Sequence, residues 1–276
     1  MAARLSLRFA ALGYLAALLA FPVGLVFWRT FENGLGPVWN AATNPEALHA
    51  LWLTVLIALI AVPANTIFGV ICALVIVRGG RFHGKTLLNA LVDLPFALSP
   101  VVIGLALYLV YARTGWLGGW LVDHGINVIF ALPGMILATI FVSLPFVVRE
   151  TVPVLREIGT EQEEAAWTLG ASPLTAFFRV TLPAIRWGVT YGIVLTTARA
   201  IGEFGAVSIV SGSIAGRTET LTLHVQQRFQ GFDLTGAYTA SVELALLALI
   251  TLLFMTLLRK ETPVGDSDTP GDEALR

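Results

Sequence analysis

The sequence predicts an all-α integral membrane protein of about six transmembrane helices, and three observations carry that expectation. Hydrophobic residues make up 56% of the 276-residue chain and charged residues only 13%, about half the roughly 25% charge of an ordinary soluble domain. The apolar residues gather into runs that reach or exceed the roughly 20 residues of helix needed to cross a bilayer core. Lysines and arginines fall mainly on alternate segments between those runs, the asymmetry that marks cytoplasmic loops.

The first candidate span covers about residues 9–28. Arg4 and Arg8 before it are reminiscent of a secretory leader, but the apolar run reaches Trp28 and no small-x-small cleavage site closes it, so a retained anchor is expected. Further spans are expected at about 48–77, 87–112, 128–148, 184–212 and 236–258, the second and fifth long enough to tilt or to extend past the bilayer. Residues 29–47 and 113–127 read as loops rich in Gly, Asn and Trp, with Trp39, Trp116 and Trp120 where interfacial aromatics usually sit. The tail from Glu261 to Arg276 is acidic and nearly devoid of apolar residues, so burial cannot offset its ordering entropy and disorder is expected. The chain thus divides into an N-terminal helix and lead-in (1–34), a main membrane domain (35–260) and a disordered tail (261–276).

With the N-terminus placed inside, twelve of the seventeen basic residues fall on the cytoplasmic side, among them Arg78, Arg81, Lys85, Arg149, Arg156, Arg179 and Arg186. Arg29, Arg113, Arg217 and Arg228 fall opposite and Arg199 lies within the fifth span. Both termini are therefore expected in the cytoplasm. The net charge of −1, with no basic run, argues against nucleic-acid binding. Cys72 is the single cysteine and sits in an apolar stretch, so it reads as a small hydrophobe that can form neither an intramolecular disulfide nor a cysteine metal cluster. His49, His83, His124 and His224 show no metal-ligand spacing.

The polar insertion between the fourth and fifth spans has readable local physics. Thr160-Glu161-Gln162-Glu163 matches a capping box and Gly170 suits a left-handed closing residue, which predicts a short helix between them. Ser172-Pro173 predicts a second start, serine as N-cap and proline at the first position. Leu182-Pro183 predicts an interruption before the fifth span. Ala165 and Ala166 permit close backbone approach, while Trp167, Leu169, Phe177 and Phe178 supply apolar surface. Either an interfacial helix or a docking element for a cytoplasmic partner fits this composition.

Charges inside spans are costly, about 2.5 to 3.5 kcal/mol at the bilayer centre on the gentlest scale. Arg199 and Glu203 are four residues apart, on one face if helical, and can pair. They read either as an ion pair that fixes packing or as a polar position on a transport pathway, with Gly202 and Gly205 permitting close helix approach. Asp93, Pro95, Ser99 and Pro100 predict a broken or kinked third span, with Asp93 as a cap at the membrane surface or a pathway residue. Ser99, Ser143, Ser208, Ser211 and Ser213 could offer hydroxyls to a passing oxyanion or bond to their own backbone.

A wider pattern adds to this reading. Glu164, Ala165, Ala166, Gly170, Val180, Leu182 and Pro183 resemble the EAA loop of bacterial ABC importer permeases, with Val180 where isoleucine is more usual. The runs 48–55, 93–102, 145–150 and 199–207 extend the resemblance, over about residues 35–260, to sulfate/thiosulfate permease subunits of the CysW type. The resemblance implies a type I ABC importer transmembrane domain in the bacterial inner membrane, with Glu164, Ala165, Ala166, Gly170, Leu182 and Pro183 coupling it to an ATPase. Asp93, Ser99, Pro100, Arg199 and Glu203 are the candidates for pathway or helix packing. The implied partners are a second permease of the CysT/CysU type, two CysA-type ATPase subunits, a periplasmic sulfate- or thiosulfate-binding protein and membrane lipid. No cofactor is expected in this chain: ATP and magnesium would be bound by the ATPase. A molybdate/tungstate permease is the alternative within the family. A proton-coupled secondary transporter is the alternative outside it, whereas an integral-membrane enzyme would need a nucleophile, base and orienter set that the sequence does not offer.

Overall fold

The computed structural model describes residues 8, 11–80 and 82–258; the tail expected to be disordered lies outside them. Helices build the whole architecture among the described residues. Four are long and apolar enough to cross a membrane, or six spans if each of two bent helix pairs counts as one crossing.

A π-helical stretch, Ala16–Ala20, leads into α1 (Phe21–Phe31), so the first apolar run extends a few residues beyond the expected end. Most of its side chains stay exposed, Thr30 being buried, and it packs on the last long helix. The two expected loops each carry a short helix, α2 (Leu35–Ala42) and α6 (Gly118–Asp123), and Trp39, Trp116 and Trp120 are exposed there. α3 (Pro45–Arg78) begins where the Asn44 side chain accepts from the Glu46 N–H and runs 34 residues, roughly 51 Å at about 1.5 Å per residue. That exceeds a bilayer core of about 30 Å, so α3 is long enough to tilt or to extend past it.

The expected break in the third span is present. α4 (Lys85–Ala97) ends at an extended Leu98, and α5 (Pro100–Tyr111) starts with proline in its first turn, the two helices turning by 114°. A straight crossing is thereby excluded. α7 (Leu132–Glu157) runs past the expected 128–148, with Pro145 and Pro153 inside it. The insertion holds α8 (Glu161–Thr168) and α9 (Pro173–Ala176). A π-helical segment, Phe177–Thr181, then runs without interruption into α10 (Leu182–Ile201). The fifth span is broken: α10 meets α11 (Gly205–Ser211) at a 51° bend. α12 (Leu221–Gln230) and α13 (Leu234–Leu258) complete the chain.

α7 is the central helix, with α3 and α10 against it along most of its length and α4, α5 and α11 at its flanks. One apolar cluster centres on Ala73, Ile76, Val147, Val148, Leu155 and Ile185, and a second on Leu53, Ile57, Ile103, Met135, Val207 and Val210. The close packing follows from small residues at the crossings. A Cβ at Gly69 would lie 2.7 Å from Val147 Cβ, and one at Gly192 would lie 2.8 Å from Val147 Cα, so glycines on α3 and α10 bring both backbones against the same residue of α7.

Candidate coupling site and broken spans

α8 sits at the end of the core, joined to α7 through Ile158, Gly159 and Thr160. Gly159 and Gly170, on either side of it, have φ of +62° and +83°, a left-handed conformation that glycine adopts without the Cβ penalty. Gly170 thus closes α8 as expected.

The expected capping box does not form. Thr160 accepts no first-turn N–H; its hydroxyl donates instead to Glu164 Oε1 at 2.7 Å. Glu163 turns inward, only 7% exposed. Its Oε2 accepts from Arg78 Nε at 3.0 Å, and its Oε1 accepts from an Arg78 terminal nitrogen at 3.3 Å and from Thr181 Oγ1 at 2.8 Å. A charged, forked donor outcompetes a backbone N–H for that carboxylate. The same Arg78 donates to the Gly159 carbonyl. Arg78 and Thr181 were missed at the sequence level; an arginine ending an apolar span is the signal that could have drawn notice to the first.

The second cap forms as expected, with Ser172 Oγ accepting from Thr175 N–H at 3.2 Å and Pro173 opening α9. The expected interruption at Leu182-Pro183 is absent. Leu182 N–H reaches back five residues to Phe177 O, and this widened turn brings Pro183 into the first turn of α10, where a missing N–H costs little. Leu182 packs into the core cluster and Pro183 is exposed.

The outer face of the insertion is apolar and uncovered. Trp167 is 50% and Leu169 88% exposed, with Leu174 and Phe178 also open. Glu164, Ala165 and Gly170 share that exposure and Ala166 is half-buried. Phe177 departs from expectation: it packs into the core while its ring meets Phe178 edge-on at 4.9 Å.

The broken spans separate the remaining candidates. Asp93 is neither a terminal cap nor free: it lies inside α4 and pairs with Arg149 of α7, Nε to Oδ1 at 2.7 Å with a second contact between Nη2 and Oδ2, so it ties α4 to α7. Ser99 precedes α5, exposed and without a cap hydrogen bond. Pro100 packs where Gly205 stands, a Cβ there falling 2.9 Å from Pro100 Cβ; of the two glycines expected to allow close approach, Gly205 does so. Gly202 meets only its own helix, at the Ala198 carbonyl.

Arg199 and Glu203 pair at 2.7 Å as expected, but Glu203 lies in the break after α10 rather than on a continuous helix. Its Oε1 accepts from the Ala206 N–H at 2.9 Å, satisfying a first-turn donor of α11. Its carbonyl accepts from Thr222 Oγ1 at 2.8 Å, and next to that contact the Leu221 N–H donates to Thr54 Oγ1 at 2.8 Å. The break is therefore tied to α12, and α12 to α3. A small cavity of about 10 Å³ lies there, lined by Thr54, Thr139, Glu203 and Thr220.

Three of the candidate serines serve the fold. Ser143 donates to Thr139 O and accepts from Asn65, Ser208 donates to Gly205 O, and Ser211 accepts from Ser213 N–H. Asn65, fully buried on α3, also donates to Ile140 O and was missed because a lone asparagine in an apolar run carries no spacing signal. α12 turns part of its polar surface inward: His224 is buried against Glu219 at 3.3 Å, and Arg228 bridges Glu46 and Asp233.

Sequence similarity places the chain in a family. The profile described as "Binding-protein-dependent transport system inner membrane component" matches residues 65–262. The chain belongs to that family. This inner membrane component is 50% identical over 252 residues to a "Sulfate transport system permease protein CysW" of Synechocystis, covering 91% of each chain. It is 51% identical over 244 residues to a protein of the same name from Escherichia coli K12, covering 88% of this chain and 84% of that one. A Synechocystis "Sulfate transport system permease protein CysT" is 37% identical over 90% of this chain and 86% of its own. Among solved structures, a chain of a bacterial alginate ABC transporter superposes with a TM-score of 0.76 at 16% identity over 92% of both chains, which shows a shared ABC transporter permease fold.

Proposed function

We propose that the chain is one permease subunit of an ATP-driven importer that moves sulfate, and thiosulfate with it, across the bacterial inner membrane. The observation that carries the substrate is the identity of about 50% to sulfate system permeases over some nine-tenths of the chain. CysT relatives at 37% support a homologous second permease as partner. Two CysA-type ATPase subunits bind ATP and magnesium, and a periplasmic binding protein delivers the anion. Both termini face the cytoplasm in this reading, which the basic-residue asymmetry supports.

The insertion supplies the mechanical link. Trp167, Leu169 and Leu174 offer an apolar ridge suited to a groove on the ATPase, and Ala165 and Ala166 let the α8 backbone approach it. Closure of the ATPase pair moves α8, and α7 and α10 carry that motion into the span breaks. A dianion on a pathway must leave as readily as it enters. Arg199 suits that need because Glu203 compensates its charge at 2.7 Å, so it does not act as an anion trap.

The test is uptake of labelled sulfate by proteoliposomes holding the two permeases and the ATPase, with the binding protein outside and ATP inside. Uptake that requires ATP, persists with an uncoupler and resists excess molybdate is expected. Uptake abolished by the uncoupler while ATP remains would indicate a proton-coupled transporter, and displacement by molybdate would redirect the substrate.

A further inference from the structure

The polar contacts at the base of α8 converge on one carboxylate. Arg78 is the last residue of α3, Gly159 lies at the α7 to α8 junction, Glu163 is in the first turn of α8, and Thr181 ends the π-helical segment before α10. All four meet through Glu163 and the Arg78 guanidinium. Both charged side chains are largely withdrawn from solvent, Arg78 at 19% and Glu163 at 9% exposure. A forked guanidinium on a buried carboxylate is directional as well as strong. Glu163 faces the core while Glu164, its neighbour, faces out, so the two acids have opposite tasks.

We infer that Arg78, Glu163 and Thr181 form a clamp that fastens α8 to the ends of both α3 and α10, so that a displacement of α8 moves the three segments as one body. They are positioning residues: they touch neither ATP nor the anion. The inference rests on the coupling role proposed for α8. Without the clamp, α8 loses its charged tie to α3, and the glycine joints at Gly159 and Gly170 let it swivel while the spans stay behind.

The experiment uses the full complex in proteoliposomes, with Glu163→Gln and Arg78→Lys as the main variants and Thr181→Val as a milder one that removes a single hydrogen bond. ATP hydrolysed per sulfate imported is the functional readout. It is expected to rise on the order of tenfold in the first two, as loss of a charge-assisted interaction permits, and less in Thr181→Val. In parallel, spin labels at Val75 on α3 and Thr168 on α8 report whether the two ends move together. In the otherwise unmutated complex their separation stays constant between nucleotide-free and ATP-bound states; in Glu163→Gln it spreads. An unchanged ratio with a constant separation in Glu163→Gln overturns the clamp, as does a parallel fall of hydrolysis and transport. If the main variants fail to assemble, Thr181→Val decides by the same two readouts. A wild-type complex that does not import sulfate refutes the proposed function instead, and the label separation still reads the clamp.

Discussion

Adding one methyl group at Gly192 is predicted to weaken the core at the crossing of α10 and α7, by an amount the structure sets. The new Cβ would stand 2.8 Å from Val147 Cα, against an ordinary carbon contact of about 3.5 to 4.0 Å. The obstacle is backbone, so no rotamer change relieves it and the helices must part by roughly 1 Å. Overpacking of this kind costs about 1 to 3 kcal/mol, while alanine's higher helix propensity returns about 0.5 to 1 kcal/mol. Gly24→Ala in α1 isolates the second contribution, since nothing lies within 4 Å of its added Cβ. The difference between the two variants is thus the packing cost, about 5-fold to 150-fold in the unfolding equilibrium. Reversible unfolding in mixed detergent and SDS micelles measures it. A Val147→Ala background sharpens the test, because it removes the Cγ1 that crowds Gly69 at 2.8 Å but leaves the Cα that crowds Gly192. Gly69→Ala is therefore partly rescued there and Gly192→Ala is not. A Gly192→Ala variant as stable as Gly24→Ala would refute the reasoning.

Other outcomes follow from the same geometry. Arg199→Leu strands the carboxylate of Glu203, whose side chain is 2% exposed, and should cost about 3 to 5 kcal/mol. Glu203→Gln leaves the partly exposed Arg199 and keeps the Ala206 cap, so it should cost roughly half as much, and the double variant should be more stable than Arg199→Leu alone in the same unfolding assay. Ser172→Ala removes the α9 cap and should cost about 0.5 to 2 kcal/mol, visible as faster amide exchange at Thr175 than in wild type. The partly exposed Asp93–Arg149 pair should give a coupling of no more than about 1 kcal/mol in a double-mutant cycle; a larger value would mean that the pair is shielded from solvent in the assembled transporter.

The long apolar elements were legible because bilayer length and composition leave little choice: α3, α7 and α13 appear where the runs predict them, with ends displaced. Prolines proved poor guides to where a helix ends. Pro145 and Pro153 sit inside α7 without ending it, and Pro183 is absorbed by the π-helical turn before it, outcomes that depend on neighbouring helices resupplying backbone partners. The break at Pro100 was readable because two prolines lie five apart; the break at Gly202 to Phe204 was not, since its cause is a tertiary network from Glu203 to Thr222 and from α12 to Thr54. The insertion was read correctly at Ser172 and Gly170, where the signal is local. It was read wrongly at Glu163, where a partner 85 residues away, Arg78, displaced the local cap. Separation in sequence, rather than weakness of the interaction, hid that contact.

In the proposed importer, α8 is the surface that meets the ATPase. A benzophenone amino acid in place of Trp167, in the assembled complex, tests this most directly, with Trp116, 93% exposed on the predicted opposite side, as the control. The account predicts an irradiation-dependent adduct to the ATPase subunit from position 167 and none from position 116. An assembled complex that gives no ATPase adduct from position 167, or gives one from position 116, would contradict it.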